Sequence, residues 1–141
     1  EPQTNKIRDI LGNGKAVLFG LPGAFTSTCS KLHLPGYVGN ADKIKSKGIE
    51  KIFCLSVNDP FVMNAWGEAN NAGGKITMLS DPYLLFTKAI GAEVDRNSKG
   101  MGIRSNRYAM VIQNLEVVNI QVEKETKQCG LSSAEGVLDL L

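Results

Sequence analysis

Cys29 sits among hydroxyls in "AFTSTCSKLH" (24–33), where Thr26, Ser27, Thr28 and Ser30 surround the thiol. A buried inert cysteine usually has apolar neighbours, so this wet, hydrogen-bonding setting favours a reactive sulfur. The apolar run "KAVLFG" (15–20) precedes the Pro22-Gly23 break, and a helical pattern follows it. If Thr26 is the N-cap, Cys29 is the third helical residue, among backbone N–H groups that have no intrahelical partner. The positive end of the helix dipole there stabilises an anion, and so a thiolate. His33 lies one turn on, on the same helix face. A Cys-His hydrolase pair would need a residue to orient the imidazole, and none is evident, so a structural histidine is the better reading.

Cys54 and Cys129 complete the cysteine inventory. Cys54 lies inside "KIFCLSV" (51–57), an apolar strand, and reads as core. Cys129 lies in polar "KETKQCG" (124–130), which reads as an exposed position. A surface thiol without a role and a redox partner for Cys29 both remain open for it. Three cysteines cannot all pair within the chain, there is no Cys-x-x-Cys, and a single histidine cannot build a Cys/His zinc site. These features fit a reducing intracellular compartment. Phosphate chemistry has no support: "GNGK" (12–15) lacks the first glycine and the Ser/Thr of a Walker loop, and no G-x-G-x-x-G follows a strand. Arg107 opens a predicted strand. It can point back toward the sheet end that carries Cys29, where a guanidinium would stabilise a thiolate, or it can be a surface strand-end charge.

The elements that must hold these residues follow from pattern and punctuation. Strands are predicted over 15–20, 51–57 and 75–81, and a hairpin over 107–113 and 116–123 turns at Asn114-Leu115. The helix after Thr26 carries a kink at Pro35, keeps apolar spacing through Tyr37, Ala41 and Ile44, and stops at Gly48. A second helix opens at Pro60 with Asp59 as N-cap, and a third opens at Pro82 and ends at Gly91. Residues 93–106 read as a loop. The tail 132–141 reads as a closing helix, with Ser132 or Ser133 as cap and Glu135 completing a capping box. The order β-α-β-α-β-α-β-β-α gives an α/β fold: a mixed central sheet flanked by helices, compatible with a thioredoxin-like fold. The 141 residues fit one domain spanning 1–141.

Composition excludes several classes. With 43% hydrophobic and 21% charged residues the chain is an ordinary globular one. Its net charge of +2 comes from scattered basic residues, with no nucleic-acid footprint. No apolar run is long enough for a membrane span. The chain opens "EPQTNKIRDI" without an initiator Met or a signal-peptide pattern, and the expectation is that a preceding piece, with any targeting information, has been removed.

Three blocks closely resemble one family. "PGAFTSTCSKLHLPG" (22–36) is similar to the active-site segment of the peroxiredoxins, Pro-x-x-x-Thr-x-x-Cys. It takes the form found in the type II, or type-five, subfamily. "SVNDPFVMNAW" (56–66) and "RYAMVIQN" (107–114) match that subfamily in the same order, and the likeness covers nearly the whole chain. The separation of Cys29 and Cys54 is similar to that in plant-type members, and the sequence looks close to the apicomplexan antioxidant-protein branch.

The resemblance implies a thioredoxin fold and a thiol peroxidase. Cys29 would be the peroxidatic cysteine, Thr26 and Arg107 would hold thiolate and peroxide in line, and Pro22 would shield the oxidised sulfur. No metal, haem or flavin would be needed. Glutathione would serve as reducing co-substrate, with glutaredoxin completing a single-cysteine cycle. The alternatives are a thioredoxin-dependent two-cysteine peroxidase with Cys129 or Cys54 resolving, and a redox sensor. The family also implies a homodimer. From charge and apolar pattern no nucleic-acid or membrane partner is expected, and the expected location is intracellular, in the cytosol or in an organelle such as a plastid or mitochondrion.

Overall fold

The computed structural model describes residues 2–141. Its centre is a five-stranded sheet built from β1 (Lys15–Gly20), β2 (Lys51–Ser56), β3 (Thr77–Ser80), β6 (Tyr108–Gln113) and β7 (Glu116–Val122), in the order β3-β2-β1-β6-β7. β1, β2 and β3 run parallel, β6 runs antiparallel to β1, and β7 antiparallel to β6. The mixed sheet expected from the sequence is therefore present. β1 and β2 are almost wholly buried, because both sheet faces are covered, which is why they read as continuous apolar runs.

On one face, Val17, Phe19, Ile52, Cys54 and Val111 pack with Leu34, Tyr37 and Ile44 of α2 (Leu34–Ser46), Met63 and Trp66 of α3 (Pro60–Ala69), and Val137 of α5 (Ala134–Leu138). On the other, Leu18, Phe53, Leu55, Tyr108 and Met110 pack under α1 (Ile7–Leu11) and α4 (Leu85–Ala89). Asp59 caps α3 as expected, its Oδ1 accepting the Val62 amide at 2.9 Å.

Three local expectations need correction, and one short helix was not expected: the five-residue α1 is too short to show a periodic signal against its polar surroundings. Pro82 does not open a helix: α4 begins three residues later, at Leu85. The buried Asp81 carboxylate holds the turn between them, accepting from the Thr87 amide at 2.8 Å and the Thr87 hydroxyl at 2.7 Å. The stretch 93–106 is not a plain loop, since β4 (Glu93–Asp95) and β5 (Ile103–Ser105) form a small antiparallel ribbon around a 3₁₀ turn at Asn97–Lys99. The capping box at the C-terminal helix does not form. Ser133 alone caps α5, through the Gly136 amide, while Ser132 is buried and Glu135 reaches Asn40 instead.

Candidate active site

The strand register explains how distant residues meet. Gly20 at the end of β1 pairs with Tyr108 at the start of β6, and Tyr108 pairs with Val122 at the end of β7. The adjoining residues Leu21, Arg107 and Glu123 therefore leave the sheet at one end of its strands, where the Glu123 amide donates to the Arg107 carbonyl at 2.9 Å. The loop after β1 carries Pro22 and Thr26, and the helix after it carries Cys29.

That helix begins at Ser27 and widens into a π turn over Cys29–His33 before α2 continues. The Leu34 amide reaches back five residues to the Cys29 carbonyl. Pro35 follows immediately and has no N–H to give, so the expected kink takes the form of a π turn, a feature frequent at functional sites. Thr26 stands one residue before the helix, and its carbonyl accepts the Ser30 amide at 2.9 Å. Its side chain does not cap the helix, as the sequence led one to expect. The hydroxyl donates backwards to the Gly23 carbonyl at 2.7 Å.

Arg107 is buried and reaches Cys29. Its Nη1 lies 3.3 Å from Cys29 Sγ and 3.0 Å from His33 Nδ1, while Nε and Nη2 donate to the Thr126 carbonyl at 3.0 and 2.8 Å. His33 Nε2 faces the Ser132 carbonyl at 3.0 Å. A guanidinium only donates and a carbonyl only accepts. His33 must therefore carry its proton on Nε2 and accept on Nδ1. Burial first, and the nearby Arg107 charge second, push its pKa down to about 3, so it stays neutral. The same Ser132 carbonyl accepts from the Tyr37 hydroxyl at 2.7 Å, and the Tyr37 ring stacks on Phe19 at 3.8 Å.

Ser132 is held in turn by the buried Glu123. One carboxylate oxygen accepts from the Ser132 hydroxyl at 2.6 Å and from the Ser132 and Gly130 amides at 2.8 Å each. Burial alone would raise the Glu123 carboxyl, but these donors outweigh it and hold it below its usual range. The chain Glu123, Ser132, His33, Arg107, Cys29 is thus continuous.

Sequence reasoning passed over Glu123, Arg104 and Asn58. The Arg104 Nη1 donates to the Pro22 carbonyl at 3.2 Å, and its guanidinium lies over Gly23 so closely that a Cβ there would come within 2.5 Å of it. The Asn58 side-chain oxygen accepts the Ala24 amide at 2.8 Å. Directly after these anchors, and before Thr26 with its bond to the Gly23 carbonyl, Phe25 takes a left-handed backbone, φ 63°, uncommon for a bulky residue. A dipeptide with Gly23 and a polar residue after β2 carried the only available sequence signal.

Cys54 is fully buried in β2, and burial first, with Cys29 nearby second, raises its thiol well above the usual value. Cys129 is half-buried rather than exposed. Desolvation leads the causes that push its thiol up to about 11, against the lowering influence of Arg107.

A buried cysteine at a helix start, touched by an arginine that the pairing of β1 with β6 brings to the same end of the sheet, is the geometry of a peroxide-reducing thiol. The Redoxin family matches residues 1–138. The chain belongs to the peroxiredoxins. It is 45% identical over 139 residues to Peroxiredoxin-2D of Arabidopsis thaliana, covering 99% of this chain and 85% of that one. Among solved structures, reduced Prx3 of Vibrio vulnificus in complex with hydrogen peroxide superposes with a TM-score of 0.90 at 49% identity, covering 96% of this chain and 86% of that one. The Plasmodium falciparum antioxidant protein, a 1-Cys peroxiredoxin, superposes with a TM-score of 0.88 at 30% identity, covering 94% and 78%. As a peroxiredoxin of the plant type II group, the protein is a thiol peroxidase with a thioredoxin-like fold. Among the described residues no helix is long and apolar enough to cross a membrane.

Proposed function

We propose that this peroxiredoxin reduces hydrogen peroxide and organic hydroperoxides in a single-cysteine cycle regenerated by glutathione and glutaredoxin. The Cys29 thiolate attacks one peroxide oxygen. A sulfur–oxygen bond forms, the oxygen–oxygen bond breaks, and the leaving oxygen departs as water or an alcohol once protonated. Cys29 becomes a sulfenic acid, oxidised by two electrons. Arg107 donates to the thiolate and meets the charge on the leaving oxygen, Thr26 holds the peroxide in line once its hydroxyl turns from the Gly23 carbonyl to the substrate, and Pro22 limits access of water. Glutathione thiolate then attacks the sulfenic sulfur, releasing water and leaving a mixed disulfide. A glutaredoxin thiol removes the glutathione. The sulfur's own redox states carry the whole cycle, so no metal, haem or flavin takes part. The observation that carries this reading is the 3.3 Å contact between Arg107 Nη1 and Cys29 Sγ.

The single-cysteine form is supported by the other two thiols. Resolution of a sulfenic acid needs a thiolate close by. Cys54 is locked in the central sheet and Cys129 has its thiol pushed up to about 11, so neither supplies one readily. The similarity to the Plasmodium protein, itself a 1-Cys peroxiredoxin, points the same way. We also place the protein in a homodimer. Phe25, Leu32, Phe61, Tyr83 and Leu85 are each at least 61% exposed. The segments that carry Phe25, Phe61 and Tyr83 are tied together by hydrogen bonds involving Asn58, Ser80 and Asp81, so these residues form an apolar rim beside the Cys29 loop. A second copy covering that rim would remove it from water. Chloroplastic and mitochondrial relatives support an organellar or cytosolic setting.

A coupled peroxidase assay tests the cycle, using glutathione, glutaredoxin and a recycling system on the wild type and on Cys29→Ser, Cys54→Ser and Cys129→Ser. Only Cys29→Ser should lose turnover, and intact mass after peroxide and glutathione should show an adduct on Cys29. Loss in a folded Cys129→Ser or Cys54→Ser, with an internal disulfide in the wild type, would establish the two-cysteine thioredoxin route. A single oxidation without turnover would make the protein a sensor.

A further inference from the structure

Away from Cys29, the 3₁₀ turn at Asn97–Lys99 and the segment after β7 form two walls of a cleft of about 480 Å³. That is the size of an ordinary small-molecule site. Arg96, Lys99, Lys124 and Lys127 line it with a single carboxylate, Glu125, which pairs with Lys127 at 3.4 Å. The excess of three positive charges is concentrated here in a chain whose net charge is only +2. Cations crowded in one cleft repel one another until an anion enters. The Arg96 Nε is buried and has no hydrogen-bond partner, one of two such side-chain atoms among the described residues. A buried donor without a partner is rare and marks a place where a ligand or water belongs. The turn that presents Arg96 is firm, with the Arg96 amide on the Gly102 carbonyl at 2.8 Å and the Met101 amide on the Arg96 carbonyl at 3.1 Å.

The opposite wall connects to the chemistry. Thr126, which lines the cleft, is the residue whose carbonyl takes both the Nε and Nη2 protons of Arg107. A ligand in the cleft would therefore touch the segment on which Arg107 is anchored.

We propose that this cleft binds a short acidic peptide bearing two carboxylates and one ammonium, the charge pattern of glutathione. The carboxylates pair with Arg96, Lys99 and Lys124, and the ammonium with Glu125, which Lys127 releases in exchange. The choice of glutathione as natural occupant rests on the glutathione-dependent cycle proposed above.

The test is an amide NMR titration of the full chain with S-methylglutathione, which has no free thiol and cannot turn over, and with citrate at matched ionic strength. Saturable shifts at residues 94–99 and 124–127, with a shift of the Arg107 Nε–H, are expected from S-methylglutathione. Arg96→Gln and Lys99→Gln should weaken that binding by about tenfold each. They should raise the KM for glutathione while leaving the rate of Cys29 oxidation by peroxide unchanged. Absence of saturable shifts, shifts confined to other residues, or insensitivity to Arg96→Gln would overturn the assignment. Equal affinity for citrate would also overturn it, by reducing the cleft to a general anion patch. If glutathione supports no turnover yet S-methylglutathione still saturates the cleft, the cycle fails and the site stands. If turnover proceeds without binding there, the site fails and the cycle stands.

Discussion

The guanidinium nitrogen of Arg107 that faces Cys29 Sγ at 3.3 Å also faces His33 Nδ1 at 3.0 Å. Cys29 and His33 are one helical turn apart, so one donor bridges both ends of the π turn. The imidazole is an acceptor that keeps the guanidinium aimed at the sulfur, and the sulfur has a cation at hydrogen-bond distance.

Arg107→Lys and Arg107→Gln should each slow the reaction of Cys29 with hydrogen peroxide by about a hundredfold, the order of loss seen when one preplaced donor is removed from an active site. Lysine should not rescue, because a single ammonium cannot serve Cys29, His33 and the Thr126 carbonyl together. Stopped-flow consumption of peroxide under single-turnover conditions measures this. A Lys variant close to wild type would mean that charge alone suffices.

Stability should depend on pH through His33. Its folded pKa of about 3 lies below the ordinary value of 6.5, so the unfolded chain binds the extra proton first as pH falls. The stabilisation is fully present above about pH 6.5 and is lost progressively toward pH 3, with a total on the order of a few kcal/mol. Urea unfolding at pH 7, 6, 5 and 4 measures the slope. His33→Asn should be less stable at pH 7 and flatter between pH 6.5 and 4.5, the part of the window that lies above the Glu123 titration.

Glu123→Gln keeps the shape of the carboxylate but turns one acceptor oxygen into a donor. The remaining oxygen can still face the Ser132 hydroxyl and the Ser132 and Gly130 amides, but these bonds lose their charge assistance, which should cost about 1–3 kcal/mol of stability. It should also slow peroxide reduction, because the Ser132 carbonyl that orients His33 loses its anchor. Thermal melts and single-turnover rates on the same sample report both effects. An unchanged rate beside a lowered melting temperature would separate Glu123 from the Arg107 network.

Gly23→Ala should displace the Arg104 guanidinium, since the new Cβ would stand 2.5 Å from its Nη1. The Arg104 bond to the Pro22 carbonyl is then lost, and peroxide reduction should slow by about tenfold as the loop before Cys29 loosens. Arg104→Ala should have a similar effect, and the double variant should be little worse than either single one. Additive losses would show that the two residues act separately.

Much of this protein could be read along the chain. Alternating apolar strands and helices set the mixed sheet, because strands buried on both faces must be continuously apolar. The hydroxyl cluster before Cys29, the Pro22-to-Cys29 spacing and the arginine opening the hairpin marked the reacting groups. These are local signals, carried by residues a few positions apart. The sequence was misleading where a side chain has a stronger partner elsewhere. Thr26 turned to the Gly23 carbonyl instead of capping its helix. Ser132 left the expected capping box for Glu123, and Asp81 held a turn where Pro82 promised a helix. Only the tertiary structure decided that Glu123, nearly a hundred residues from Cys29, supports it through Ser132, His33 and Arg107. The register of β1, β6 and β7 brings those residues to one end of the sheet, and register depends on packing across the sheet, which no local pattern records.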